Sequence, residues 1–299
     1  MVDLESPRRR WSVRMFGVMA LCVATAVAQP VAVSPRLQVK FPALNGGKPA
    51  ESAAVPLEGG SLIVVVAASG ANPTSPEMQW GGRAVPLEVI GHDPVSRLVF
   101  IKVPDSIPAK ATEWLKEAGP QVGTGLTFMD ADGPAKCRST RWIKQVGGKI
   151  LPLALLEVNF GKAVPSPGTA LMDESGHVVG IVFQSAGGNT GYAIPAEAVH
   201  RVRKDICGPN RQLTRGWLGL GLRAESQVPV VSSVLPGSPA AAAGIQPNDV
   251  LTAVGARRIA DYADAANAFF YLIPGQPVKV SLLRAAQPVE YSLTPVSPK

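Results

Sequence analysis

Residues that could do acid–base, nucleophilic or metal chemistry are few and widely separated in this sequence. Its three histidines are His92, His177 and His200, and two of its three cysteines, Cys137 and Cys207, lie beyond the N-terminal segment. None of them stands at the short spacing of zinc ligands, and no glycine-rich loop precedes a helix as in phosphate-binding sites. The sequence therefore predicts no metal and no cofactor.

One serine lies in a stretch whose rhythm suits a catalytic loop. The stretch AVPSPGTALMDESGHVVGIVFQ, residues 163–184, passes from a turn through a hairpin tip to a β-branched strand. Its outline resembles the nucleophile loop of a serine protease. However, Ser166 is flanked by Pro165 and Pro167, which carry no N–H. The stretch thus leaves open whether the protein is an active hydrolase or has the fold of one without its catalytic residues.

A second pattern favours binding. Leu218-Gly219-Leu220 is an apolar-Gly-apolar loop, in which Gly219 can adopt backbone angles that a side chain would hinder. Such a loop lets backbone N–H groups converge into a nest for a carboxylate. Taken alone, the stretch GWLGLGL would equally suit a β-strand whose glycines serve packing.

Secondary-structure elements must position these candidate residues. The recurring pattern in the sequence is short β-type runs separated by Gly, Pro and Asn turns. That spacing predicts an all-β sandwich or a pair of barrels. A helix is predicted at 195–206 with Pro195 at its start, and another from about Tyr262 to Leu272 with Asp261 as its cap. We expect strands at 61–67, 84–90, 97–103, 125–129, 151–158 and 177–183.

The N-terminal segment has the layout of a Sec-type secretory signal. Four arginines precede an apolar run from Met15 to Ala28 that ends in AVA. The run is shorter than the roughly 20 residues of a spanning helix, so we expect cleavage near Ala28 and no stable membrane insertion afterwards. An uncleaved anchor stays an alternative. The predicted location is the periplasm or the exterior.

Charge and cysteine content are compatible with that location. Loss of residues 1–28 lowers the formal charge from +7 to +5, and the basic residues are scattered rather than clustered with aromatic residues. This pattern favours a solvated surface over nucleic-acid binding. In a compartment that permits disulfides, Cys137 and Cys207 could form a bridge or remain as two free thiols, and the sequence leaves both open.

Residues 215–296 resemble a PDZ domain of the type that follows a trypsin-like domain in the HtrA family of envelope proteases. The matching stretches are RGWLGLGL, VVSSVLPGSPAAAAGIQPNDVLTAVGARRI, DYADAANAFF and PGQPVKVSLLRAAQPVEYSLT, in that order. The resemblance implies a peptide groove between the strand that follows the glycine loop and the long helix. Its implied peptide-binding residues are Trp217, Leu218, Gly219, Leu220, Gly221, Leu222, Tyr262, Ala266 and Phe269.

From about residue 55 to 206 the chain resembles the trypsin-fold domain of the same family. GGRAVPLEVIGHDPVSRLVFIKV, PSPGTALMDESGHVVGIV and GYAIPAEAVHRV match three family segments in order. The implied fold is mostly β: a trypsin-like double β-barrel followed by a PDZ domain, which is an α+β, partly open barrel.

The resemblance also implies that the catalytic columns are lost. Arg97 stands where the family has the triad aspartate, Pro167 where it has the serine, and Pro165 at an oxyanion-hole position. No histidine follows GGSLIVVV where the family has TNxHVV. A one-residue slip would make Ser166 the nucleophile, with the N–H groups of Ser166 and Val164 as oxyanion donors, but it would still lack a histidine and an aspartate.

Together these observations predict an exported pseudoprotease of the HtrA type that acts as an adaptor or regulator and binds C-termini or extended segments of proteins through its PDZ domain. The alternative is an active serine endopeptidase of the envelope with displaced catalytic residues. Oligomerisation, which is common in this family, stays open. The expected divisions are a signal peptide (1–28), an N-terminal extension (29–54) with the composition of a linker or an edge strand, a degenerate protease-like domain (55–206), a linker (207–214) and the PDZ domain (215–296).

Overall fold

The computed structural model describes residues 37–57, 59–116, 120–146, 149–223 and 228–298. The predicted signal peptide lies outside these residues. Strands dominate the described chain, as the sequence predicted, and helices are few. No helix within the described ranges has the length and apolar character needed to cross a bilayer.

The first β-layer is a seven-stranded antiparallel sheet with the order β5-β4-β1-β2-β3-β7-β6. The predicted strand at 84–90 is divided at Leu87, whose N–H still donates to the Pro76 carbonyl at 3.0 Å; before it β5 pairs with β4, and after it β6 pairs with β7. The strands are β1 (Leu37–Phe41), β2 (Ala50–Pro56), β3 (Leu62–Val66), β4 (Glu77–Trp80), β5 (Arg83–Pro86), β6 (Glu88–His92) and β7 (Leu98–Lys102).

The first two strands correct the expected N-terminal extension over residues 29–54. Residues 37–54 belong to the interior of the sheet, because β1 lies between β4 and β2, and β2 lies between β1 and β3. Leu37, Val39 and Phe41 alternate with polar residues and are buried, which is the pattern of a half-buried strand. Prolines and glycines around these short strands gave the segment the composition of a linker.

The second β-layer is a closed six-stranded barrel with the order β10-β13-β12-β11-β8-β9. Its longest hairpin joins β9 to β10, and β9 was not predicted because exposed basic and hydroxyl residues interrupt its apolar positions. The strands are β8 (Gly125–Asp130), β9 (Gly133–Val146), β10 (Lys149–Asn159), β11 (Ala170–Met172), β12 (Val178–Gly187) and β13 (Thr190–Pro195).

Strands β3 and β7 of the first sheet are buried on both faces, which explains the unbroken apolar run of β3. Ile63 and Val65 point into a core made by the sheet itself. Val64 and Val66 point the other way, into a core shared with the barrel and with helix α1 (Ala196–Ile206). Helix α1 begins after Pro195, as predicted. The shared core therefore fixes the two β-layers against each other.

The C-terminal module is a small α+β unit with its own core. Its strands form two sheets, β14-β15 and β17-β16-β18-β19. Asp261 caps α3 as predicted, because its carboxylate accepts from the Asp264 N–H at 2.7 Å, and the helix ends at Phe270. The elements are β14 (Leu220–Leu222), β15 (Val231–Val234), α2 (Pro239–Ala242), β16 (Val250–Val254), β17 (Arg257–Arg258), α3 (Tyr262–Phe270), β18 (Val278–Arg284) and β19 (Gln287–Leu293).

Helix α3 also packs on the barrel, at a bulge in β10. Residues 151–154 of β10 stand opposite Lys144 of β9, so the ladder is interrupted there. The Ala154 N–H, which lies in this interruption, donates to the Asn267 side chain at 3.0 Å, and Lys144 pairs with Asp264. The module is thus attached through the same helix that borders its predicted groove.

A second set of contacts attaches the module through α1. Arg201 is buried and donates to the Leu272 carbonyl at 3.2 Å, and Glu197 pairs with Arg257. Phe270, the last residue of α3, lies in the core shared by the barrel and α1. The described residues accordingly belong to one compact unit, and the domain boundary at 207–214 stays a prediction.

The bridge between the two cysteines is not formed. Cys137 is buried in the barrel beside Leu126 and Phe128, whereas Cys207 lies exposed after α1, and both are free thiols. Burial raises the pKa of the Cys137 thiol to about 12. Since the thiolate is the reactive form, Cys137 is protected both by burial and by protonation.

We therefore expect only Cys207 to react with a thiol reagent in the native state at pH 8. In a protein comprising residues 29–299, a reagent that releases a chromophore should titrate one thiol, and a second only after unfolding in denaturant. In Cys207→Ser, the native protein should show no rapid reaction. Rapid native labelling of that variant would contradict the burial of Cys137.

Candidate functional site

A cavity of about 290 Å³ lies between the glycine loop and α3. Six residues named from sequence line it: Trp217, Leu218, Gly219, Leu220, Ala266 and Phe269. Its walls are mainly apolar, with backbone polar groups at one end, which is the usual composition of a binding pocket. The cavity is thus the place where the predicted peptide-binding residues converge.

The peptide planes of the glycine loop direct N–H groups away from the neighbouring α2 turn. The Leu218 carbonyl accepts from Ala240 and the Gly219 carbonyl from Leu235, each at 3.0 Å. In a trans peptide the next N–H points the opposite way from the carbonyl, so the N–H groups of Gly219 and Leu220 face away from the donors Ala240 and Leu235. Gly219 has φ of 80°, which favours glycine. The loop therefore has the form of a carboxylate nest.

Three of the predicted residues lie outside the cavity lining. Gly221 and Leu222 continue β14 and pair with Ser233 and Val231 of β15. Tyr262 is the first residue of α3. These positions border the strand and the helix further from the nest, where an added peptide strand would continue.

Several lining residues were missed by sequence reasoning. Pro152 reaches the cavity from the β10 bulge, Arg215 from the segment before the glycine loop, and Pro298 from the segment after β19. Pro298 is brought there by an antiparallel pair between Trp217 and Val296, with N–H to carbonyl distances of 2.7 and 3.0 Å. These residues are far apart in the sequence and come together only in the fold. Arg215 alone could have been predicted, because it lies just before the WLGL stretch.

The predicted nucleophile loop lies between β10 and β11 and is held at its proline. The Pro167 carbonyl accepts from the Ala53 N–H at 2.8 Å, and the Gly168 N–H donates to the Val182 carbonyl at 2.7 Å. Gly168 has φ of 82°, and a Cβ there would lie 2.0 Å from the Ala53 carbonyl oxygen. The loop is consequently pinned between β2 and β12.

Ser166 has few of the partners that a nucleophile requires. Its hydroxyl is exposed and lies 3.4 Å from the Thr169 hydroxyl, which donates to the Ser166 carbonyl at 2.8 Å. Because Pro165 and Pro167 lack N–H groups and Gly168 donates to β12, the residues flanking Ser166 offer no free amide. Within residues 165–168 only the N–H of Ser166 is left for an oxyanion, so a second donor would have to come from Val164.

Arg97 connects the first sheet to the barrel beside this loop. Its Nη2 donates to the Gln184 side chain at 2.8 Å and to the Phe183 carbonyl at 3.4 Å, and its guanidinium stacks 3.9 Å from the centre of the Phe183 ring. Burial lowers the pKa of Arg97. Its carbonyl accepts from the Ala67 N–H at 2.9 Å. The residue that hydrogen-bonds to the backbone of Arg97 is therefore an alanine and not a histidine.

The three histidines lie in separate surroundings. His92 ends β6, and His177 lies 3.3 Å from the Glu113 carboxylate near the hairpin tip. His200 is on α1 with its ring against the edge of Trp114. Within the described residues, Ser166 forms a hydrogen bond with none of the three histidines, so no serine–histidine pair is assembled there.

Comparison with known proteins identifies the C-terminal module and the fold. Residues 216–294 match the PDZ domain family. The described chain superposes on a solved structure titled "HtrA-type protease AlgW with tripeptide" with a TM-score of 0.62, 20% identity, and coverage of 88% of this chain and 93% of that chain. The architecture is that of an HtrA-type protease. A serine endoprotease from Yersinia pestis gives a TM-score of 0.53 at 18% identity, covering 88% and 94% of the two chains.

Curated sequences give the same HtrA-type resemblance. A "Probable periplasmic serine endoprotease DegP-like" of Brucella suis is 25% identical over 218 residues, which are 67% of this chain and 41% of that protein. The "Periplasmic pH-dependent serine endoprotease DegQ" of Escherichia coli is 26% identical over 216 residues, 67% of this chain and 46% of that protein. The chain thus spans less than half the length of these curated relatives.

Proposed function

We propose that this HtrA-type protein is an exported pseudoprotease that binds the C-termini or extended segments of other proteins through its PDZ domain and acts as an adaptor or regulator. The observation that carries the proposal is the contrast between its two sites. The PDZ groove has an open cavity beside a carboxylate nest, whereas the nucleophile loop has prolines at the positions that need a serine and an amide donor.

The chemistry of the first site argues against proteolysis. Loss of one oxyanion-hole donor costs about 10²–10³ in rate, and removal of triad members costs far more. Here Pro165 and Pro167 lack N–H groups, and Arg97 provides a positive charge where a carboxylate should orient the histidine. Each change alone would impair acyl transfer.

The compartment follows from the same reasoning. The curated relatives reported above are named as periplasmic, and the N-terminal sequence has the features of a Sec-type signal. The periplasm therefore supplies the partners. The HtrA-type protease structure superposed above contains a tripeptide, which supports peptides as the class of ligand for this chain.

A peptide titration tests the binding half of the proposal. Purified protein should bind a peptide with an apolar last residue and a free C-terminal carboxylate, and should bind the C-terminally amidated peptide at least about tenfold more weakly, since charge-assisted hydrogen bonds to the nest are lost. Fluorescence anisotropy of N-terminally labelled peptides gives both affinities. Equal affinity for the two peptides would mean that the nest does not bind the peptide carboxylate.

Digestion of an unfolded protein tests the catalytic half against the rival, an endopeptidase that uses Ser166. Casein incubated with the purified protein should show no new fragments by mass spectrometry at concentrations where an active HtrA-type protease is fast. The matched control is Ser166→Ala. Cleavage by the natural sequence that disappears in this variant would establish the endopeptidase instead.

A further inference from the structure

A cation without a counter-ion lies at the degenerate protease centre. In the described part of the chain, no carboxylate pairs with Arg97, and only Nη2 of its guanidinium donates hydrogen bonds, to a carbonyl and an amide oxygen. The nearest acid in sequence, Asp93, is buried and accepts from the Ser96 N–H and hydroxyl. A half-buried guanidinium loses hydration, which an anion normally offsets.

The backbone of Arg97 is strained, and the inner edge of its guanidinium has no hydrogen-bond partner. Arg97 has φ of 58°, in the left-handed region that side chains rarely adopt. Its Nε is buried and has no hydrogen-bond partner. Strain of this kind persists where surrounding structure enforces it, and it concentrates at binding sites. The surroundings thus hold a cation in a fixed and costly position.

The groups around this cation leave room for a ligand on one side. Arg97 contacts β12 at Phe183, and the nucleophile loop contacts the same strand at the adjacent Val182. Gln184 and Ser166 are exposed, so the meeting point of loop, strand and guanidinium opens to solvent. The Phe183 ring covers one face of the guanidinium, and Nη1 donates no hydrogen bond to any described residue and is not among the buried atoms, so it is open to an incoming acceptor.

We propose that Arg97 is a carboxylate-binding site that holds an acidic side chain of a protein segment lying across β12 and the nucleophile loop. Arginine pairs well with carboxylates, because its planar fork is weakly hydrated and stacks on an aromatic ring while it donates. The substitution at the aspartate position thereby exchanges a catalytic function for a preference for acidic segments. The site is independent of the PDZ groove.

The test uses two C-terminally amidated peptides, so that the PDZ nest contributes nothing. One alternates Glu and Ala, and the other has Gln in place of Glu. The purified protein should bind the Glu peptide about tenfold more tightly at low salt, as expected for a charge-assisted hydrogen bond. Arg97→Gln should abolish this preference, whereas Arg83→Gln, which removes an exposed arginine on β5, should retain it.

Each other outcome counts against the site. Equal affinity of the natural protein for both peptides, or an unchanged preference in Arg97→Gln, would mean that Arg97 only connects the two β-layers. Full displacement of the Glu peptide by millimolar inorganic phosphate would make the site one for small anions. If Arg97→Gln does not fold, a Glu peptide carrying a benzophenone group should crosslink to residues 163–169 or 182–186 of the natural protein, and crosslinks elsewhere would overturn the proposal.

Discussion

Replacement of Phe270 by alanine should lower the free energy of unfolding by about 3–5 kcal/mol, as for other buried phenylalanines. The ring is only 2% exposed and lies in the core that the barrel shares with α1. Its loss leaves a cavity at the junction between the PDZ domain and the barrel. Urea unfolding followed by circular dichroism gives the change, and we expect the single transition to broaden or divide as the two parts lose their shared core.

The neighbouring Phe269 is the matched control for that experiment. It is half-buried on the same helix and packs against the core of the PDZ domain, whereas Phe270 lies in the core shared with the barrel; both residues also line the peptide cavity. Phe269→Ala should therefore weaken binding of a peptide with a free C-terminus, while it lowers the stability less than Phe270→Ala does. The reverse pattern, with Phe269 dominating stability, would contradict the assignment of the two rings to different environments.

Replacement of Gly219 by alanine should lower the affinity for a free C-terminal peptide at least about 100-fold, a change of roughly 2.7 kcal/mol. A Cβ at Gly219 would lie 2.1 Å from the Ser238 Cβ, and φ of 80° disfavours any side chain. Ser238 is buried and caps α2, so the glycine loop must shift instead, and the N–H groups of the nest would move with it. Isothermal titration with the natural protein as reference measures the loss.

Gly237→Ala separates steric displacement from backbone strain. Gly237 has φ of 72° and lies in the adjacent turn, but no atom lies within 4 Å of where its Cβ would be. The substitution should cost about 1–2 kcal/mol of stability through backbone strain alone and leave peptide affinity nearly unchanged. A similar loss of affinity in both variants would mean that the strain, and not the position of the nest, controls binding.

The sequence predicted the mostly β character and the PDZ module because the strongest signals were local. Strand β3 is an unbroken apolar run, Asp261 is an N-cap, and the turn and helix between Val234 and Val250 have characteristic spacing. Such features are determined within a few residues, so that one sequence suffices to recognise them.

What the sequence did not predict depends on contacts across the fold. Residues 37–54 seemed a linker because their strands are short, and their burial comes from neighbours at β3 and β4. Pro152 reaches the cavity from β10 of the barrel, and Pro298 reaches it from the segment after β19 of the PDZ domain. To predict that Arg97 has no carboxylate partner would likewise have required the positions of all the acidic side chains around it.

The central position of β1 and β2 bears on how an exported chain would assemble. A polypeptide that emerges from a translocation channel with its N-terminus first delivers the middle of this sheet before its edges. Strands β1, β2 and β3 are consecutive antiparallel neighbours, so they can pair while later residues are still in transit. β7 then closes one side of this meander against β3 and β4 closes the other against β1, which leaves no exposed central strand waiting for a distant partner.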